Sequence, residues 1–121
     1  MIKLYKKGGF YHSYNDDSII ISFLCNYKII NNRVGFPINS INKVVNILID
    51  NKIDYIIYNK DNVIDKYISK DNRYNNILIK AKSNIDINNR INNIVSSLYK
   101  VDSNKLNIIL EYIESVIYER R

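Results

Sequence analysis

The chain has no tryptophan, and only one histidine, one cysteine, one proline and three glycines among 121 residues. Each scarcity closes a class of chemistry. A single cysteine, Cys25, excludes an intramolecular disulfide and argues for a reducing compartment. It follows Phe23 and Leu24 at the end of an apolar run, so it reads as a buried thiol rather than a reactive one. His12, the only histidine, leaves no Cys/His cluster of metal-ligand spacing and no Ser-His-Asp set. Gly8, Gly9 and Gly35 do not make a phosphate-cradling loop. No metal, cofactor or enzymatic activity is implied. Long apolar runs are lacking too. Ile19 to Ile21 with Phe23 to Cys25 falls far short of a bilayer span, and the lysine-bearing N-terminus lacks the apolar segment of an export signal. The expectation is a soluble, cytoplasmic protein without a membrane partner.

What remains is ordinary in amount and unusual in kind. Hydrophobic residues make up 46% of the chain, enough for a packed core at a length that suits one domain. Isoleucine and asparagine, both specified by AT-rich codons, exceed a third of the residues. Asparagine tracts can mark disorder, but isoleucine interrupts them throughout, which predicts a folded chain. The net charge is +6. Residues 1–60 carry eight Lys/Arg against four Asp/Glu and residues 61–121 ten against eight, so the excess sits mostly in the first half. It favours a polyanionic partner without requiring one.

The most informative stretch is Lys3 to Tyr14. Gly8-Gly9 separates two short runs rich in β-favouring residues, a hairpin pattern because tight primed turns need φ > 0. A turn there pairs Lys7 with Phe10, Tyr5 with His12 and Lys3 with Tyr14 on one face. Ile2, Leu4, Lys6, Tyr11 and Ser13 fall on the other. Ile2, Leu4 and Tyr11 then belong to a core, while Phe10 and His12 point outward. The outward stripe of lysines and aromatics has two readings. It suits phosphates and bases, and it equally suits a hairpin covering a neighbouring element.

Leu4-Tyr5-Lys6-Lys7-Gly8-Gly9-Phe10-Tyr11-His12, followed by Asp16-Asp17, resembles the start of the mismatch-recognition domain of the DNA mismatch repair protein MutS. That family reads aromatic-Tyr-Arg/Lys-x-Gly-Asp-Phe-Tyr-Glu before an acidic pair and a helix. Val34-Gly35-Phe36-Pro37 is similar to the family's Gly-Val-Pro segment. The resemblance covers roughly the first 60 residues. It implies DNA binding, with Phe10 in the role of the wedge that stacks on a mispaired base. His12 stands where the family has a base-bonding Glu, Gly9 where it has Asp, and Asn39 where it has His. Little preference for mismatched over paired duplex is therefore expected.

Along the rest of the chain, Asn15-Asp16-Asp17-Ser18 supplies a cap and an acidic first turn for a helix to about Asn26. A nuclease metal pair at Asp16-Asp17 is the weaker alternative, lacking further carboxylates. Tyr27 to Ile30 reads as a strand, Asn31-Asn32 as a turn, and Arg33 to Phe36 as the return strand, stopped at Pro37. Ser40 caps a helix in which Ile41, Val44, Val45 and Leu48 follow helical spacing. Ile53 to Tyr58 reads as an interior strand. From Val63 onward the pattern is helical. Val63, Ile64, Tyr67 and Ile68 make one stripe; Tyr74, Ile77, Leu78 and Ala81 make a second. Caps at Asp86 and at Asp102 or Ser103 start the last two helices, which form a hairpin with Ile91, Ile94, Leu110 and Ile113 in the core.

These readings combine into an α+β, mixed α/β fold. Residues 1–60 form a MutS-like α/β portion with a small mixed sheet and two packing helices. Residues 61–121 form a helical portion packed on it in one compact domain. Two function classes remain open. One is a stand-alone nucleic-acid-binding module, DNA being the favoured form, which uses Phe10, His12, Tyr5, Tyr14, Lys3, Lys6, Lys7 and Arg33. The other is a small adaptor or inhibitor that binds a nucleic-acid-associated protein through the hairpin or the helical tail. The C-terminal helices could also join two copies of the chain.

Overall fold

Gly8 takes a backbone conformation that suits glycine. In the computed structural model, which describes residues 1–119, its φ is +62°, while Gly9 stays outside the left-handed region. Positive φ at the first central residue alone is the pattern of a II′ hairpin turn. β1 (Ile2–Lys7) and β2 (Phe10–Tyr14) therefore pair antiparallel, with Lys7 opposite Phe10, Lys6 opposite Tyr11 and Tyr5 opposite His12. The expected pair of Lys3 with Tyr14 does not form. The chain leaves the sheet at Asn15, where φ is +53°, and the Lys3 amide donates to Asp17 Oδ2 at 3.0 Å instead.

α1 (Asn15–Cys25) ends at Asn26, whose φ of +63° closes the last turn. Its acidic start does not cap it through a side chain. Asp17 binds outward, accepting from the Lys3 amide and, at 2.5 Å, from the Tyr74 hydroxyl. Asp16 meets Lys82 at 3.6 Å, an exposed pair of small energetic weight. Tyr27 to Ile30 is not a strand. Ile30 alone bridges to Arg33, across Asn31 and Asn32 at φ +54° and +58°. β3 (Arg33–Pro37) pairs with β2 along its whole length, because that ladder satisfies five residues while Tyr27 and Ile29 turn toward the core.

A 3₁₀ turn at Ile38–Ser40 leads into α2 (Ile41–Asp50), where Ser40 holds the N-cap position without a side-chain bond. Val44 and Leu48 are fully buried, with Ile41 and Val45 packed beside them. β4 (Tyr55–Asn59) lies parallel to β1, an interior strand as its composition predicts. The helix expected from Val63 is instead β5 (Asn62–Tyr67). Lys60 at φ +57° turns the chain back on itself, and the free edge of the buried β4 demands a hydrogen-bonding partner. Val63 and Ile64, β-branched, suit that role. Ile64 is left out of the register between Asp65 and Val63, a bulge at the sheet's edge.

The five strands form one mixed sheet in the order β3-β2-β1-β4-β5. One side carries the core: Ile2, Leu4, Tyr11, Val34, Phe36, Tyr55 and Ile57 from the strands meet Ile20, Ile21, Val44, Leu48 and Ile77 from the helices. Ser13 is fully buried on this side and its hydroxyl has no hydrogen-bond partner among the described residues. Since an unpaired buried hydroxyl costs about 1–3 kcal/mol, Ser13→Ala is expected to leave stability unchanged or raise it. Urea unfolding that shows a loss above 1 kcal/mol would contradict this.

The division expected at residue 60 lies elsewhere. The chain forms two compact units, Met1–Asn84 and Ile85–Arg121. α3 (Tyr74–Leu98) contributes its first turns to the first unit, where Ile77 and Ala81 are buried. It runs through Asp86 without a break, so the expected cap there is absent; no Gly or Pro interrupts residues 82–90. α4 (Ser103–Ile117) does start as expected, with the Asp102 carboxylate accepting from the Lys105 amide at 3.1 Å.

Within the second unit no described residue is buried. Ile91 and Ile94 are more than half exposed and Leu110 is 38% exposed, which corrects their assignment to a core; Ile113 is half-buried. Two helices and a short loop bury one seam, and these stripes are wider than a seam. Alanine at Ile91, Ile94 or Leu110 is therefore expected to change unfolding free energy by no more than about 0.5 kcal/mol in dilute protein. Losses of about 2–5 kcal/mol would restore the core assignment.

Candidate binding face on the open side of the sheet

The side of the sheet opposite the core carries a different population. Alternation along the strands puts Lys3, Tyr5 and Lys7 of β1 there, with Phe10, His12 and Tyr14 of β2 and Arg33, Gly35 and Pro37 of β3. Parallel pairing of Tyr5 with Tyr58 and of Lys3 with Ile56 adds two residues of β4, and Lys66 of β5 lies opposite Ile56. None of these strand residues is acidic.

Five rings run across this face in an unbroken row. Phe10 lies 6.3 Å from His12, His12 lies 6.5 Å from Tyr14, Tyr14 lies 5.9 Å from Tyr5, and Tyr5 stacks on Tyr58 at 5.3 Å. These are centroid separations typical of interacting rings. Phe10 is 49% exposed, Tyr14 40% and Tyr5 37%, so the row is open to a ligand. Lys3, Lys7, Arg33 and Lys66 are all exposed beside it. Residues 1–84 hold thirteen Lys/Arg and seven Asp/Glu, and residues 85–121 five of each, so the whole net charge of +6 resides in the unit that bears this face.

His12 is held in a particular way. A methyl group built on Gly35 would stand 3.1 Å from both Cε1 and Nδ1 of the imidazole. The ring thus lies over the glycine, and Nδ1 is buried without a partner among the described residues. Burial, and then the charges of Arg33 and Lys7, hold the His12 pKa below its ordinary 6.5. At neutral pH the ring is uncharged, able to stack or hydrogen-bond but not to act as a cation. Next to it Phe10, His12, Lys28, Ile30, Arg33 and Gly35 surround a shallow recess of ≈ 360 Å³.

Seven of the eight site residues expected from the sequence share this face: Phe10, His12, Tyr5, Tyr14, Lys3, Lys7 and Arg33. Lys6 does not. It is opposite Tyr11 on the helix-packed side and half-buried. Phe10 and His12 are accessible and Tyr11 is buried, the alternation the hairpin predicts. Sequence reasoning missed Tyr58, Lys28, Ile30 and Gly35. A tyrosine closing an apolar strand was the one visible sign for Tyr58; the others depend on β3 lying beside β2.

Other reactive groups are quiet. Burial pushes the Cys25 thiol up to about 11, which keeps it protonated and inert near pH 7. Tyr55 and Tyr74 are raised, first by burial and then by donating to Asp65 and Asp17. Among the described residues no helix is long and apolar enough to cross a membrane. Comparison of the chain with protein-family models, curated proteins and solved structures gave no match.

Proposed function

We propose that this chain is a non-catalytic nucleic-acid-binding module of the cytoplasm that takes bases on the ring row and phosphates on Lys3, Lys7, Arg33 and Lys66. The observation that carries the reading is the unbroken row of five rings on a sheet face whose charged strand residues are all cations. Aromatic rings offer stacking partners to any base, and lysine and arginine neutralise phosphates without reading sequence. The resemblance of Phe10-Tyr11-His12 to the MutS wedge motif supports the same face, since Phe10 and His12 emerge together there. With neutral His12 in place of the family's Glu, mismatched and matched duplexes should bind alike.

The test is a titration against matched duplex, mismatched duplex and single-stranded oligonucleotides at two salt concentrations. Binding at low salt that weakens steeply with added salt supports the reading. No binding to any of them would end it.

A second reading rests on the other unit. Ile87, Ile91, Ile94 and Val95 of α3 and Ile108, Leu110, Val116 and Ile117 of α4 are exposed, on a stretch with no net charge. Such a surface suits a protein, either a nucleic-acid-associated partner bound as adaptor or inhibitor, or a second copy of the chain. Sedimentation over a hundredfold range of concentration separates these outcomes, because only self-association depends on the concentration of this chain.

A further inference from the structure

We infer that the nucleic acid taken by this face is single-stranded, and that one of its bases enters the recess between Phe10, His12 and Arg33. This deepens the proposed function and rests on it.

The first argument is access. A duplex keeps the faces of its bases stacked inside the helix, so a row of protein rings finds nothing to stack on without unpairing them. A single strand presents base faces freely, and exposed rings stack on them whatever their sequence. The row from Phe10 to Tyr58 crosses β2, β1 and β4 with every neighbouring pair of rings 5.3–6.5 Å apart, a track for several successive bases rather than a single wedge.

The second argument is the recess. Its ≈ 360 Å³ falls at the lower end of the range of about 300–1,000 Å³ for small-ligand sites, room for one nucleotide. Its wall is chemically divided. Phe10, His12 and Ile30 give flat or apolar surface for a base, and Lys28 and Arg33 give cations for the phosphate that follows. The His12 ring can lie back over residue 35 and form one wall of the recess because that residue has no side chain. Gly35 does not have the positive φ that demands glycine, so its backbone would accept alanine; what alanine would meet is the His12 imidazole at 3.1 Å. The glycine there makes room for the imidazole rather than making a turn, and an alanine would push the ring out toward the recess.

The experiment uses the full chain and a labelled unstructured 12-nucleotide strand, alone or annealed to its complement, followed by fluorescence anisotropy. The strand should bind at least about tenfold more tightly than the duplex. Gly35→Ala and Ile30→Ser should each weaken strand binding about fivefold or more, the loss of one stacked base, with the salt slope unchanged. Ile30 is 55% exposed, so Ile30→Ser tests the recess even if Gly35→Ala perturbs the sheet. Duplex bound as tightly as the strand would overturn the single-strand inference and leave the proposed function standing. Strand preference with both variants binding like wild type would overturn the recess assignment. Binding of neither nucleic acid would remove the proposed function itself.

Discussion

Replacing Phe36 by alanine is expected to destabilise the α/β unit by about 3–5 kcal/mol. Phe36 is the largest fully buried side chain. It stands on β3, a sheet edge paired on one side only, where Val34 is the one other buried side chain. Its ring meets Tyr11 at 5.8 Å and stacks on Tyr27 at 5.4 Å. Truncation therefore opens a cavity between Tyr11 and Tyr27 and loosens both the strand and the segment that returns to it. Set against a total stability of about 5–15 kcal/mol for a domain, the loss is large. Urea denaturation should show a lowered midpoint with an unchanged slope. A loss under 1 kcal/mol would mean that the edge repacks freely. The same substitution should weaken binding at the recess, because Lys28 and Ile30 lie on the segment that Tyr27 anchors.

What the sequence disclosed and what it hid separate along one physical line. Local rules were enough for the first hairpin: Gly8-Gly9 fixes the turn, and the turn fixes which side Phe10 and Tyr11 take. They were enough for α2, whose apolar positions recur at helical spacing, and for the Asp102 cap of α4. Non-local pairing defeated them. Val63, Ile64, Tyr67 and Ile68 fit a helical stripe by spacing alone, and only the unsatisfied edge of β4 makes that segment a strand. Arg33 to Pro37 is a strand on any reading, but its partner is β2, set by a connection through α1. The candidate face follows the same line. Its half on β1 and β2 is visible from alternation about the turn. Tyr58 joins only through the parallel register of β1 with β4, and the recess only through β3. In the tail, apolar spacing identified the helices correctly and the burial wrongly, because periodicity shows which face is apolar but not whether anything covers it.

Phe10→Ala is expected to weaken nucleic-acid binding by about 1–3 kcal/mol while leaving its salt dependence intact. Phe10 is the most exposed ring of the row and, with His12, belongs to both the row and the recess, so truncation removes stacking surface from both. It carries no charge, hence the slope should hold. Lys7→Gln, at the residue opposite Phe10 in the hairpin, should do the reverse. Affinity for all sequences should fall together, and the slope should drop by roughly 0.7 for a single strand or 0.9 for a duplex, the contribution of one phosphate. Tyr58→Ala gives an internal control. Half-buried at the far end and already stacked on Tyr5, Tyr58 has less free surface to offer and should cost less than Phe10. An ordering in which Tyr58 outweighs Phe10 would move the centre of the site from the recess to β4. If Phe10→Ala changed the slope and Lys7→Gln did not, the division of labour between rings and cations on this face would be wrong.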